Sequence, residues 1–161
     1  DLEQDCSEAM RGCDAVIFTA GSGPHTGPDK TIDVDQDGAI RLVDTAKAMG
    51  IKRFIMVSSM RAEEPEKGPE KLQHYLRAKR NADEHLKNSG LNYTIVRPGR
   101  LTNDDGNGKV SVSERLDAFG EIPRQDVARV LLAVLDSDNT GNCVFDVVSG
   151  DVPVRDALAN L

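Results

Sequence analysis

Four short apolar runs, each closed by small or turn-forming residues and set apart by stretches of helical period, constrain this chain more than any other feature. Asp14–Thr19 (DAVIFT) is almost continuously apolar and ends at Ala20-Gly21-Ser22-Gly23, as a strand buried on both faces and followed by a tight turn would read. Within Gly38–Met49, Ala39, Leu42, Val43 and Ala46 recur at the 3.6-residue period, and Gly50 stands where a helix stops. Ile51–Ser58 (IKRFIMVS) predicts a second buried strand, and the polar stretch Arg61–Glu70, with Pro65, Gly68 and Pro69, a loop. Leu72, Tyr75, Lys79, Ala82 and Leu86 define one stripe of a helix ending near Ser89-Gly90. Leu91–Val96 follows as a third strand, closed by Arg97-Pro98-Gly99, and Thr102–Lys109 is a polar surface loop. Pro123 opens a helix with an apolar face of Val127, Val130, Leu131, Val134 and Leu135, Cys143–Val148 supplies a fourth strand, and a short helix starts at about Pro153. Strands alternating with helices at this spacing predict an α/β fold, a doubly wound parallel sheet with helices on both faces in three layers.

At 161 residues the chain is expected to form a single domain, residues 1–161. Its net charge of −7 repels phosphate backbones and anionic membranes, and no apolar run approaches the ~20 residues needed to cross a bilayer. Neither nucleic acid nor a membrane is therefore an expected partner. A small-molecule substrate is, and a homodimer is an assembly left open. Cys6, Cys13 and Cys143 are odd in number and form no CxxC pair, so they suggest neither a disulfide framework nor a zinc site. They read as packing residues in a reducing, cytoplasmic setting. The sequence starts at Asp1 without an initiator Met or a secretory leader, so processing or truncation is expected to have removed its beginning.

Ligands of such sheets bind beyond the carboxyl ends of the strands, which directs attention to Thr19–Gly23, Ser58-Ser59-Met60 and Arg97-Pro98-Gly99-Arg100. Any one of these turns taken alone reads as a turn former; three together point to a crevice. The helix over 72–86 adds a sharper signal, because Lys79 sits in its apolar stripe with Tyr75 one turn earlier. A lysine there must reach out to solvent or face a polar ligand. An ammonium beside a phenol favours the phenolate, so Lys79 is expected to lower the Tyr75 pKa from about 10 towards neutrality, and Ser59 could bind and orient the same substrate oxygen. Chance alone gives about 0.1 Tyr-x-x-x-Lys matches in a chain of this composition, and the position of this one, straight after a strand ending Ser58-Ser59, strengthens it.

In these residues the chain resembles the short-chain dehydrogenase/reductase superfamily. The pattern is the first strand with Ala20-Gly21, the Gly38–Gly50 helix leading into Ile51–Ser59, Tyr75-x-x-x-Lys79, Tyr93-Thr94-Ile95-Val96-Arg97-Pro98-Gly99, and Asp126-Val127-Ala128, which together cover nearly the whole chain. It is most similar to the atypical branch of small bacterial NAD(P)-binding proteins, epimerase/dehydratase-like or NmrA-like, where the segment from Gly21 through Pro24 to Gly27 also fits. The resemblance implies a Rossmann-type fold with NAD or NADP as cofactor. It implies Tyr75 as acid/base, Lys79 as ribose ligand and activator of Tyr75, and Ser59 as ligand of the substrate oxygen. Thr19, Ala20, Gly21, Ser58, Pro98, Gly99, Arg100 and Leu101 would be cofactor contacts, with Asp1 and Leu2 close to the adenine. Superfamily members open with a strand, a glycine-rich turn and a pyrophosphate-binding helix, so the resemblance also implies that an N-terminal βαβα portion is missing, leaving the C-terminal three-quarters of a Rossmann domain. The activity implied is that of an NAD(P)-dependent oxidoreductase or nucleotide-sugar-type epimerase/dehydratase, transferring hydride at a hydroxyl or carbonyl group. An NmrA-like sensor or scaffold without catalysis is the alternative, and flavin or quinone reduction a third reading by family analogy.

Other polar residues fit structural roles. His25 reads as a solvated loop residue, and His74 and His85 as surface residues of the Tyr75 helix. Asp33, Asp35 and Asp37 have the spacing of a calcium loop but lack its distal glutamate, so no metal site is expected and the cluster is expected to cap the following helix. Arg97 and Arg100 could hold a cofactor or an anionic substrate, or Arg97 could serve as a structural donor at the strand end. The loops Arg61–Glu70 and Thr102–Arg115, which would read the substrate, match no recognition pattern.

Overall fold

The computed structural model describes residues 1–23 and 25–161. The four apolar runs become β1 (Ala15–Phe18), β2 (Arg53–Val57), β3 (Asn92–Pro98) and β7 (Cys143–Ser149), which pair in parallel in that order. Phe18 pairs with Met56, Val57 with Val96 and Val96 with Phe145, so the carboxyl ends of the strands reach one edge of the sheet together. Within β2, Phe54 and Met56 join one apolar cluster and Ile55 the other, as the two-residue pleat requires. Helix α2 (Ala39–Ala48) and helix α3 (Gln73–Lys87) cover the first face through Val43, Ala46, Ala82 and Leu86. Helix α4 (Arg124–Leu135) and helix α5 (Val154–Leu158) cover the second through Val130, Val134 and Leu158. Each large apolar side chain withdrawn from water in these layers contributes about 1.5–3 kcal/mol, and both faces of the sheet are covered, as the doubly wound reading requires.

The expected strands and helices are present, with three differences. The sheet continues past β7 with antiparallel partners, giving the order β1-β2-β3-β7-β5-β8, where β5 is Lys109–Ser113 and β8 is Val152–Pro153. The alternation of Val110 and Val112 with serines carries β5, which borders the expected polar loop. A separate parallel pair joins β4 (Arg100–Thr102) to β6 (Glu121–Pro123), so Pro123 ends a strand and precedes α4 instead of opening it.

The third difference is at the helix expected over 38–49. Helical structure already begins at α1 (Pro28–Lys30), with Pro28 at a first-turn position that needs no amide donor, and runs through a π-helix at Thr31–Gly38 into α2. Asp33, Asp35 and Asp37 therefore lie inside the helical run, and no side chain caps α2 at Gly38. Its end is as expected: Gly50 has φ +76°, Ile51 N–H donates to Ala46 O (3.0 Å) and Gly50 N–H to Lys47 O (3.2 Å), a left-handed glycine closing the helix. Pro24, part of the segment through Gly27 noted above, lies outside the described residues. No helix among the described residues is long and apolar enough to cross a membrane.

Candidate active site

The strand register places the ends of β1 and β2 beside the first turns of α3, and a cavity of about 680 Å³ opens between them. That volume falls within the few hundred to about 1,000 Å³ typical of small-molecule sites. Thr19, Ala20, Gly21, Ser22 and Gly23 form one wall, with Ser58 at the end of β2, Tyr75 and Lys79 from α3, and Leu101 of β4. Gly21 presents bare backbone beside Ala20, and a Cβ at Gly21 would come within 3.0 Å of Asp35 Oδ1.

Lys79 neither reaches solvent nor points freely at a ligand. It is 3% exposed, and its Nζ lies 3.6 Å from Oδ1 of Asp35, which is 1% exposed and reaches in from the π-helix. Asp35 Oδ2 accepts the Ser22 amide (2.9 Å), tying the helical run to the turn after β1. Lys79 also sits over the rings of Phe18 (5.7 Å) and Tyr75 (5.9 Å). Burial pulls the lysine pKa down, against the attraction of Asp35 and Asp83.

The expectation that Lys79 draws the Tyr75 pKa towards neutrality is reversed. Burial raises it first, the charge of Asp35 adds to this, and a hydrogen bond with Ser59 opposes both, leaving the phenol pushed up to about 12. The physical reason is that the lysine's charge is balanced by a carboxylate of its own, so desolvation of the phenolate dominates.

A second polar cluster adjoins the first. Ser58 Oγ donates to Asp83 Oδ2 (2.8 Å), Arg97 Nε stands 3.5 Å from the same oxygen, and Arg97 also pairs with Glu63. Asp83 is fully buried, and burial pushes its pKa up to about 7 against the hydrogen bond from Ser58 and the charge of Lys79. Arg97 is thus engaged with carboxylates of the protein and is the structural donor of the two roles open to it.

The remaining expected residues are placed as follows. Ser59 does not itself line the cavity; its hydroxyl donates to Met60 O (3.3 Å) and is bonded to Tyr75, which does. Pro98 is buried, with its carbonyl accepting the Met60 amide (3.1 Å), and Gly99 packs so closely on Gly120 that any side chain there would collide with the Gly120 carbonyl. Arg100 is exposed and pairs with Glu121, and neither it nor Pro98 or Gly99 borders the cavity, whereas Leu101 does. Asp1 is exposed at the chain start, and Leu2 packs near Gly38 with its carbonyl accepting from Arg41, also away from the cavity. His85 is bonded to Asp44 (2.7 Å), Cys6 and Cys143 pack at the cluster edges, and Cys13 is exposed, which removes it from the packing residues.

Asp83, Lys71 and Arg124 were not singled out by sequence, and Asp35 only as one of three aspartates expected to cap the following helix. Asp83 had a readable signal, since it follows Lys79 by four residues and so lies on the same buried stripe of α3. Asp35 had none, because its burial depends on a π-helix the sequence does not announce. Among the described residues no cluster of three potential metal ligands occurs.

Comparison with known proteins finds that residues 1–138 match a family described as NAD(P)H-binding. The chain is 49% identical over 158 residues to the uncharacterized sugar epimerase YhfK of Bacillus subtilis (strain 168), covering 98% of this chain and 73% of that protein. A solved structure from Bacillus halodurans, assigned to the NAD-dependent epimerases/dehydratases, superposes with a TM-score of 0.98 at 49% identity over 100% of this chain and 76% of its own. The oxidoreductase ylbE from Lactococcus lactis does so with a TM-score of 0.90 at 29% identity, over 100% and 74% respectively.

Proposed function

Because the chain belongs to the NAD(P)H-binding family, we propose that it is an NAD(P)-dependent oxidoreductase of epimerase/dehydratase type whose Tyr75 gives a proton to the oxygen of a carbonyl substrate. The observation that carries this reading is that Tyr75 and Lys79 share one cavity with the bare strand ends at Thr19–Gly23 and Ser58. The residues fit the cofactor. Thr19, Ala20 and Gly21 line the cavity at the end of β1, where a flat ring would lie along the backbone, and Lys79, with one carboxylate at 3.6 Å, has ammonium hydrogens for a ribose diol. Bound there, NAD(P)H supplies a hydride to the substrate carbon.

The rest of the chemistry belongs to the chain. With its pKa at about 12, Tyr75 stays protonated across the neutral range, so it is set to donate a proton and not to remove one. As charge grows on the substrate oxygen, that oxygen becomes more basic than a phenolate and takes the Tyr75 proton. Ser59, hydrogen-bonded to Tyr75, orients the hydroxyl and supports the phenolate left behind, with Lys79 over the ring at 5.9 Å. This favours the reductive direction over proton abstraction from an alcohol.

The test is Tyr75→Phe in cofactor-loaded protein, assayed by NAD(P)H consumption across a carbonyl panel. We expect kcat to fall about 10²–10⁴-fold, the usual worth of a positioned general acid, with cofactor affinity unchanged. Full turnover in the variant removes the proton-transfer role. Tight cofactor binding without consumption on any carbonyl would favour a sensor.

A further inference from the structure

We propose that the substrate of this site carries an anionic group, a carboxylate or a phosphate, held at the cavity mouth by Lys71, His74 and Arg124. The proposal rests on the carbonyl-reduction reading for what happens to the substrate, and on the charge of the cavity for what the substrate is.

All three side chains border the same cavity, and they arrive from separate places: Lys71 from a 3₁₀ turn at Glu70–Leu72, His74 from the start of α3, and Arg124 from the first residue of α4. Among the described residues none of the three forms an ion pair; Arg124 is steadied by the neutral side chain of Asn103 (2.8 Å). Arg97, Arg100, Arg115 and Arg129 are engaged by carboxylates, whereas Lys52 and Arg80 are exposed and form no ion pair among the described residues but do not border this cavity. The one carboxylate bordering the cavity is Asp35, and it is committed to Lys79. A chain of net charge −7 therefore gathers uncompensated positive charge at one opening, where low-dielectric walls focus the field. Leu72 and Leu101 supply apolar surface beside these groups, so the complementary ligand has a small apolar body and an anionic end.

Sequence spacing locates that end. Lys71 lies in the 3₁₀ turn that leads into α3, on the N-terminal side of Tyr75, whereas Lys79 follows Tyr75 by four residues within α3, about one helical turn, ~5.4 Å. The Lys79 end of this row meets the turn after β1 through Asp35 and Ser22, the side on which the cofactor ribose is placed above. Lys71 lies the other way, in the turn ahead of the helix. An anion held there would sit on the far side of Tyr75 from the ribose and so belong to the substrate.

The probes are 4-oxopentanoate against its methyl ester, and dihydroxyacetone phosphate against dihydroxyacetone, titrated calorimetrically into protein saturated with NADPH. We expect the charged member of at least one pair to bind tenfold or more tightly than its neutral partner, and the pair that shows it distinguishes carboxylate from phosphate. Lys71→Gln and Arg124→Gln should each cut that preference at least threefold, the double variant should abolish it, and the Kd for NADPH should not move. Equal binding of charged and neutral members in the unmodified protein overturns the proposal without recourse to any variant, as does the absence of binding by all four probes. A double variant that weakens NADPH while keeping the preference also overturns it, by assigning the cations to the cofactor. Preferential anion binding without NADPH consumption supports this inference and counts against the catalytic reading, so the two fail separately.

Discussion

Helix α3 carries two buried charge clusters one turn apart, Lys79 with Asp35 and Asp83 with Arg97, and they differ in what completes them. The Lys79 pair sits at 3.6 Å on the wall of a 680 Å³ cavity, and Asp35 Oδ1 there has no hydrogen-bond partner among the described residues. The Asp83 cluster is enclosed by the protein, with Ser58 at 2.8 Å, Arg97 at 3.5 Å, and beyond Arg97 the carboxylate of Glu63, which Arg115 approaches to 3.6 Å. Its own unmet atoms, Asp83 Oδ1 and Arg97 Nε, border no such cavity. Burial and pairing are common to both, so neither separates a site from a strut. What separates them is whether the unmet donors and acceptors face space a ligand can enter.

The largest test of this distinction compares Arg97→Met with Lys79→Met by urea unfolding. Removing Arg97 strands Asp83 in a closed interior, a change worth about 3–5 kcal/mol for a buried pair. Removing Lys79 strands Asp35 beside a cavity that water can enter, and the loss should be nearer 1–2 kcal/mol. Equal losses would mean that the cavity does not relieve Asp35 and would break the comparison.

A somewhat smaller effect is expected from Asp83→Asn followed through pH. Burial lifts the folded-state pKa of Asp83 to about 7, above its ordinary 3.8, so the folded chain binds this proton more tightly than the unfolded chain. Its contribution to stability is fully present below about pH 4 and is lost as pH rises through about 7. The asparagine variant keeps an acceptor for Ser58 and cannot ionise, so its stability relative to the parent should rise by about 2–4 kcal/mol between the two ends of that range. Thermal unfolding curves that stay parallel at every pH would show that Asp83 is ionised throughout.

The sheet and the order of its elements were legible in the sequence because its parallel strands read as nearly unbroken apolar runs, the inner ones buried on both faces and β1, at the edge, on one. The two short strands β4 and β6 were not, since Arg100–Thr102 and Glu121–Pro123 hold three residues each and no alternation can be read from so few. In the candidate site, the pairing of Tyr75 with Lys79 was readable from spacing along one helix. The sign of their electrostatic coupling was not. It depends on Asp35, forty residues earlier than Tyr75 in sequence, whose side chain reaches Lys79 only because a π-helix precedes α2. Charges on one helix can be placed by counting, whereas the counter-charge from another element needs the fold.

That counter-charge leads to the smallest effect and the most direct check on the site. If Lys79 acted on Tyr75 unopposed, the phenol would ionise near neutral pH, and the tyrosinate signal lost on Tyr75→Phe would be complete by mild alkali. With Asp35 balancing Lys79 and burial penalising the phenolate, the value of about 12 leaves only a few per cent of Tyr75 ionised about one and a half units lower. The near-ultraviolet difference between parent and Tyr75→Phe, measured without cofactor up to about pH 10.5, should therefore contain almost no tyrosinate. A full tyrosinate signal in that range would place the phenol on the base side of the reaction, reverse the favoured direction of proton transfer, and make the Lys79 pair resemble an activating couple more than a balanced one.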